Sequence, residues 1–229
     1  MKQKIIFTNV SSFIDLEKPI PASKDIPNWY AGLNSYLGGK TSLYNNYKAG
    51  STIKKCMPVF DSIVSGYLIK SATDVFVTVK DGVSNFEWPS LDTILFHPIE
   101  QAPNHPYSNG QDYPKWRNMW SIKTPKGYST LFVQPFHRES VFTILPGVVD
   151  TDQYTVPVHF PFVLNNINFQ GIIPKGTPIA QVIPFKRNDW CMEFGKEKEF
   201  NEQDRAQKNL ATFFYDGYKK MFRQTKQYK

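Results

Sequence analysis

The sequence predicts a mainly β protein with a short helix near its N-terminus and a long amphipathic helix at its C-terminus. Three observations predict it. Seventeen prolines and thirteen glycines are spread over 229 residues, which favours many short strands joined by turns over long helices. Aromatic residues make up 15% of the chain, a composition suited to a sheet-rich core. After Arg187 the character changes, with apolar residues recurring at helical spacing and lysines crowding the end. The expected organisation is an N-terminal strand, helix and loop over 1–55, a β core over 56–190, and a helical end over 191–229.

In chain order, Ile5 to Val10 reads as a strand. Asp25-Ile26-Pro27 opens a helix running to Leu37, closed by Gly38-Gly39, because Pro suits a first turn and Gly an end. Trp29, Leu33 and Leu37 form one apolar stripe on it, expected to dock on the core. Residues 40–55 read as an exposed loop. From Cys56 to Val79 the pattern turns β, and Lys80-Asp81-Gly82 is a hairpin turn with Asn85 to Trp88 as the returning strand. Residues 97–118 hold four prolines and an Asn-Gly pair and read as a long irregular loop. Trp120–Lys123 and Ser129–Val133 are strands about the Thr124–Tyr128 turn, and the stretch Ile144 to Arg187 supplies about four more. Asn201 caps the final helix, whose apolar positions are Leu210, Ala211, Phe214, Tyr218 and Met221/Phe222.

Several function classes are excluded by motif. No stretch approaches the roughly 18 apolar residues of a membrane span, so no membrane partner is expected. The apolar run at the N-terminus is broken by Thr8, Asn9, Ser11 and Ser12, which argues against a secretory signal and for the cytoplasm. Cys56 and Cys191 belong to no metal or redox motif and read as free buried thiols. His97, His105, His137 and His159 lack metal-ligand spacing, so no metal site is expected. There is no P-loop, GxGxxG or GxSxG motif. Of the net charge of +7, the stretch from Asp216 to Lys229 carries five bases against one acid, so the positive field is a C-terminal feature.

Two constellations remain. Asp150 and Asp152, at i and i+2 behind Pro146-Gly147-Val148-Val149, would share one side of an extended backbone. Such a pair can hold magnesium through water or activate a water as base. It can equally end a strand by bonding local backbone. In the tail, Lys219, Lys220, Arg223 and Lys226 alternate with aromatics in a pattern that serves a solvated helix end, phosphate contacts, or a helix packed against sister subunits.

The run PGVVDTDQY, followed by Ile173-Pro174-Lys175-Gly176-Thr177-Pro178-Ile179-Ala180-Gln181, resembles the second half of the dUTPase/dCTP-deaminase β-clip superfamily. Thr124 to Ser129 sits where that family has a phosphate-contacting turn. The whole chain is also similar to an uncharacterised family of phage and bacterial proteins. The resemblance implies a β-clip barrel, commonly trimeric, with Asp150 as the water-activating carboxylate. Asp152 would support it, Lys126 and Ser129 would contact phosphate, and Gln153 and Tyr154 would lie beside the base. The departures are specific. Tyr154 falls one residue late, Thr155-Val156 replaces the Arg-Gly after it, and Tyr154 to Phe169 holds no deaminase glutamate.

Three functional expectations follow, in order. The first is a non-catalytic phage-type binding or structural protein on a dUTPase-like scaffold, oligomeric and by analogy trimeric, acting in the host cytoplasm or the virion. The second is a divergent nucleotide-binding protein or nucleoside-triphosphate pyrophosphohydrolase, the one reading that calls for magnesium. The third is nucleic-acid binding through the basic terminal helix.

Overall fold

Short apolar runs punctuated by Pro, Gly and Asp form fourteen strands among the residues described by the computed structural model: 3–9, 16–37, 50–89, 93–212 and 216–229. These are β1 (Ile6–Asn9), β2 (Ile20–Pro21), β3 (Tyr67–Lys70), β4 (Val75–Lys80), β5 (Val83–Glu87), β6 (Ile94–His97) and β7 (Tyr113–Trp116). They continue with β8 (Trp120–Lys123), β9 (Tyr128–Val133), β10 (Phe142–Ile144), β11 (Gly147–Val149), β12 (Phe160–Leu164), β13 (Gly171–Ile173) and β14 (Pro178–Lys186). The α-helices are α1 (Asn28–Gly32), α2 (Met57–Val64), α3 (Glu197–Ala211) and α4 (Gly217–Met221). At 32% strand and 21% helix the protein is mainly β. No described helix is long and apolar enough to cross a membrane.

The chain divides into two compact units. The β unit comprises Met1–Asp25 and Ser65–Arg187, with Tyr228. Its strands pair antiparallel in four sheets, ordered β1-β8, β10-β12-β7-β6, β11-β9-β14-β3-β2 and β13-β4-β5. The core is aromatic: Trp116 stacks on Phe162 with ring centroids 5.1 Å apart, and Phe142 tilts against both. Ile69, Val75, Ile144 and Val182 belong to the same buried cluster. Each such side chain, fully buried, contributes roughly 1.5–3 kcal/mol. The β4–β5 hairpin turns on Asp81 (φ 52) and Gly82 (φ 77), both left-handed as a two-residue hairpin requires.

The helical unit comprises Ile26–Val64 and Asn188–Gln227, with Lys229. Tyr30, Ile63 and Val64 make its small buried cluster, with Ile26, Val59 and Phe60 packed against it.

Several expectations are corrected. The sheets are open among the described residues, so there is no closed barrel. Met57–Val64 is helix where a β pattern was expected. Its Val59, Phe60, Ile63 and Val64 are β-branched or aromatic but fall at helical spacing, and spacing prevails over propensity. Helix α1 ends at Gly32, because Leu33 turns extended (φ −70, ψ 134). The Trp29-Leu33-Leu37 stripe therefore does not form: Trp29 is 40% exposed, and Tyr30 is the residue buried. The 97–118 loop ends early, as Tyr113–Trp116 is a buried inner strand despite Pro114. The final helix begins at Glu197, where the Glu199 carboxylate accepts the Lys196 N–H at 2.9 Å, so Asn201 lies inside it. It stops after Ala211, and α4 starts anew behind left-handed Asp216 (φ 63). Cys56 and Cys191 are free but exposed. Of the expected loop over 40–55, residues 40–49 lie outside the described residues, as do Val10 and Phe214.

Candidate functional site

Register brings three distant segments to one point. In the five-stranded sheet β9 lies between β11 and β14, with Val149 opposite Thr130 and Lys186 opposite Tyr128. Asp150 therefore leaves β11 beside Ser129. Arg187 leaves β14 beside Gly127, and its N–H donates to the Gly127 carbonyl at 2.8 Å. The Thr124–Tyr128 turn closes the third side.

The side chains converge accordingly. Arg187 donates to Asp152 through Nη1 at 2.9 Å and Nη2 at 2.5 Å, and its Nη1 also reaches Asp150 Oδ1 at 3.0 Å. The same Nη1 lies 3.1 Å from Ser129 Oγ and 3.0 Å from the Tyr128 carbonyl. Asp152 Oδ2 takes a further bond from the Gly127 N–H at 2.8 Å. Ser129 Oγ donates to Asp150 Oδ1 at 2.6 Å. Thr151, between the two aspartates, turns inward. Its Oγ1 lies 2.8 Å from Thr124 Oγ1 and 2.7 Å from Thr130 Oγ1, a buried hydroxyl cluster whose members bond one another.

The two carboxylates differ. The Asp152 side chain is 3% exposed, against 61% for Asp150. The Arg187 guanidinium, helped by the Gly127 N–H, holds the Asp152 carboxyl down at about 2. With its oxygens occupied and its proton affinity so low, Asp152 is a poor base and acts as an anchor. The hydrogen bond to Asp152 in turn raises the Arg187 pKa. Asp150 keeps Oδ2 without a hydrogen-bond partner among the described residues, and it is the one open carboxylate oxygen of the pair.

Of the residues expected at a site, the fold thus unites Asp150, Asp152 and Ser129. Ser129 is buried with its hydroxyl committed to Asp150. Lys126, Gln153 and Tyr154 are exposed on the flanking turns, where the Gln153 and Tyr154 N–H groups bond the Asp150 carbonyl at 3.0 and 2.9 Å. Sequence reasoning missed Arg187. Its one signal was position, the first residue past the long strand that pairs with Ser129 to Val133. The guanidinium lies between the two carboxylates and bonds both. Among the described residues no group of three or more His, Cys, Asp or Glu could hold a metal.

The basic tail is partly spoken for within the helical unit. Arg223 Nη2 bonds Asp61 Oδ1 at 2.7 Å and Lys226 Nζ bonds Asp61 Oδ2 at 2.9 Å. Arg223 also lies over the Phe60 ring, 5.5 Å from its centroid. Lys219 and Lys220 are exposed on α4.

No family model matches the chain, and no curated protein is similar to it.

Proposed function

We propose that the protein is a non-catalytic binding or structural protein of the phage type, built on a dUTPase-like β-clip scaffold and assembled as a homo-oligomer, with a trimer expected. The observation that carries this reading is the Arg187 clasp. The pair that would do the chemistry is bound to an internal guanidinium, and Asp152 spends its lone pairs holding β11, β14 and the 124–128 turn together. The scaffold reading is supported by the PGVVD strand and the IAQVIPF strand flanking β9. Such a protein would serve in the host cytoplasm or the virion.

The test is a panel of nucleoside triphosphates with magnesium, read by melting temperature and pyrophosphate release, with molar mass by light scattering. The expected result is no release and a mass of several chains. Release, or a stable monomer, overturns the reading.

The exposed, partly unbonded Asp150 favours one second reading, a divergent nucleotide-binding protein or pyrophosphohydrolase with Asp150 as base. Under it Asp150→Asn abolishes release, and Lys126→Gln weakens nucleotide binding.

A further inference from the structure

The segment joining β14 to α3, together with α3 itself, carries the most exposed large apolar side chains among the described residues. Trp190 is 89% exposed, Met192 82%, Phe194 86% and Phe200, at the start of α3, 66%. None of the fifteen residues of α3 is buried. All of this lies within the helical unit. A helix of that length is marginal alone in water, and helices gain most of their stability by packing one face. Single exposed apolar residues are ordinary, but several large ones in one stretch of chain mark an interaction surface.

Three properties of the stretch identify its occupant as a second copy of the same chain. The first is area. An aromatic side chain offers about 150–250 Å², so three of them with Met192 present on the order of 600 Å². A stable protein interface takes about 800 Å² from each partner. The rest can come from α3, where Phe200, Gln203, Gln207 and Leu210 fall at i, i+3, i+7 and i+10 and make one uncharged stripe. The second is direction. Glu197 and Glu199 stand in the first turn of α3 and Lys208 in its last. Two antiparallel copies set the acidic end of each against the basic end of the other and oppose their helix dipoles. They also bring Phe200 of each beside Leu210 of the other. The third is sign. Between Asn188 and Asp204 there are six acids and two lysines, a charge that repels nucleic-acid phosphates and anionic lipid surfaces.

We propose that Trp190, Met192, Phe194 and the Phe200–Leu210 stripe form a two-fold contact with the same surface of a second copy, the two α3 helices running antiparallel. The contact rests on the homo-oligomer reading above and names a surface for it. A two-fold axis joins copies in pairs. It makes a dimer of single chains, or couples two trimers where the β scaffold makes the trimer.

The test is molar mass of the full chain by light scattering and sedimentation. The assembly should contain an even number of chains, and Trp190→Ser with Phe194→Ser should halve its mass, with association about a hundredfold weaker. Both side chains stand in water in the single chain, so this variant keeps its far-ultraviolet circular dichroism. Lys208→Glu, at a side chain 75% exposed, places like charges at each end of the contact and should weaken association several-fold. An odd-numbered assembly, or one whose mass the double variant leaves unchanged, overturns this contact while the homo-oligomer reading stands. A full chain that stays monomeric at every concentration overturns both. Association that Lys208→Glu leaves untouched overturns the antiparallel pairing.

Discussion

Arg187 and Asp152 meet through both guanidinium nitrogens and both carboxylate oxygens, at 2.9 and 2.5 Å, although 35 residues separate them in the chain. A fork-to-fork pair is directional as well as strong. It joins the ends of β11 and β14 at the turn that starts β9, so its loss should be felt by the whole five-stranded sheet.

The pair makes stability depend on pH in a defined window. The Asp152 carboxyl is depressed to about 2 from its ordinary 3.8, so the unfolded chain binds the proton more readily. Its contribution is complete above about 3.8 and is lost as pH falls towards about 2. Denaturant midpoints measured across that range should decline in the native protein and flatten in Asp152→Asn. At neutral pH Asp152→Asn should lower the midpoint more than Asp150→Asn, since the Asp150 side chain is 61% exposed. Equal effects would show that the clasp holds nothing together.

Gly66 lies at φ +70, and a Cβ there would stand 2.0 Å from the Val182 carbonyl oxygen of β14. Left-handed strain and backbone overlap act together, so Gly66→Ala should cost about 3 kcal/mol or more. Gly82 has a similar φ of +77 with nothing within 4 Å, and Gly82→Ala should cost only about 1–2 kcal/mol. Urea unfolding of the two variants side by side tests the difference. Comparable losses would mean that the close approach of β14 to Gly66 is not what demands a glycine.

Asp61 is buried on α2 and binds both Arg223 and Lys226. Those bonds, Arg223 foremost, hold its carboxyl below the usual range. Asp61→Ala leaves a largely buried guanidinium unpaired and should cost roughly 3 kcal/mol. Lys219→Gln, at an exposed position, should stay within about 0.5 kcal/mol. Thermal unfolding distinguishes them. If the Asp61 variant unfolds like the native protein, the C-terminal segment is not anchored there and its cations are available to phosphates.

The strands were legible where period and punctuation agreed. Val75–Lys80, Val83–Glu87 and Trp120–Lys123 alternate or branch in the β manner and are closed by Gly or Pro turns. Met57–Val64 was not, because Val, Ile and Phe carry β propensity in either state and only spacing separates the two. Tyr113–Trp116 was not, because Pro114 looks like loop until neighbouring strands bury it. At the candidate site, Asp150 and Asp152 stood out by their spacing and Ser129 by its place in the turn. Arg187 carried no local pattern at all.

By itself, then, the amino-acid order determined the mainly β character, the hairpin turns and the presence of two aspartates at a strand end, since these rest on interactions between residues close in sequence. Only the tertiary structure decided what those aspartates do. The register of β14 on β9 sets which residue arrives at Gly127, and register is a property of the paired strands rather than of either one. It delivers an arginine, and an open carboxylate pair becomes a clasp with a single free oxygen. The same long-range placement gives Asp61 to the basic tail.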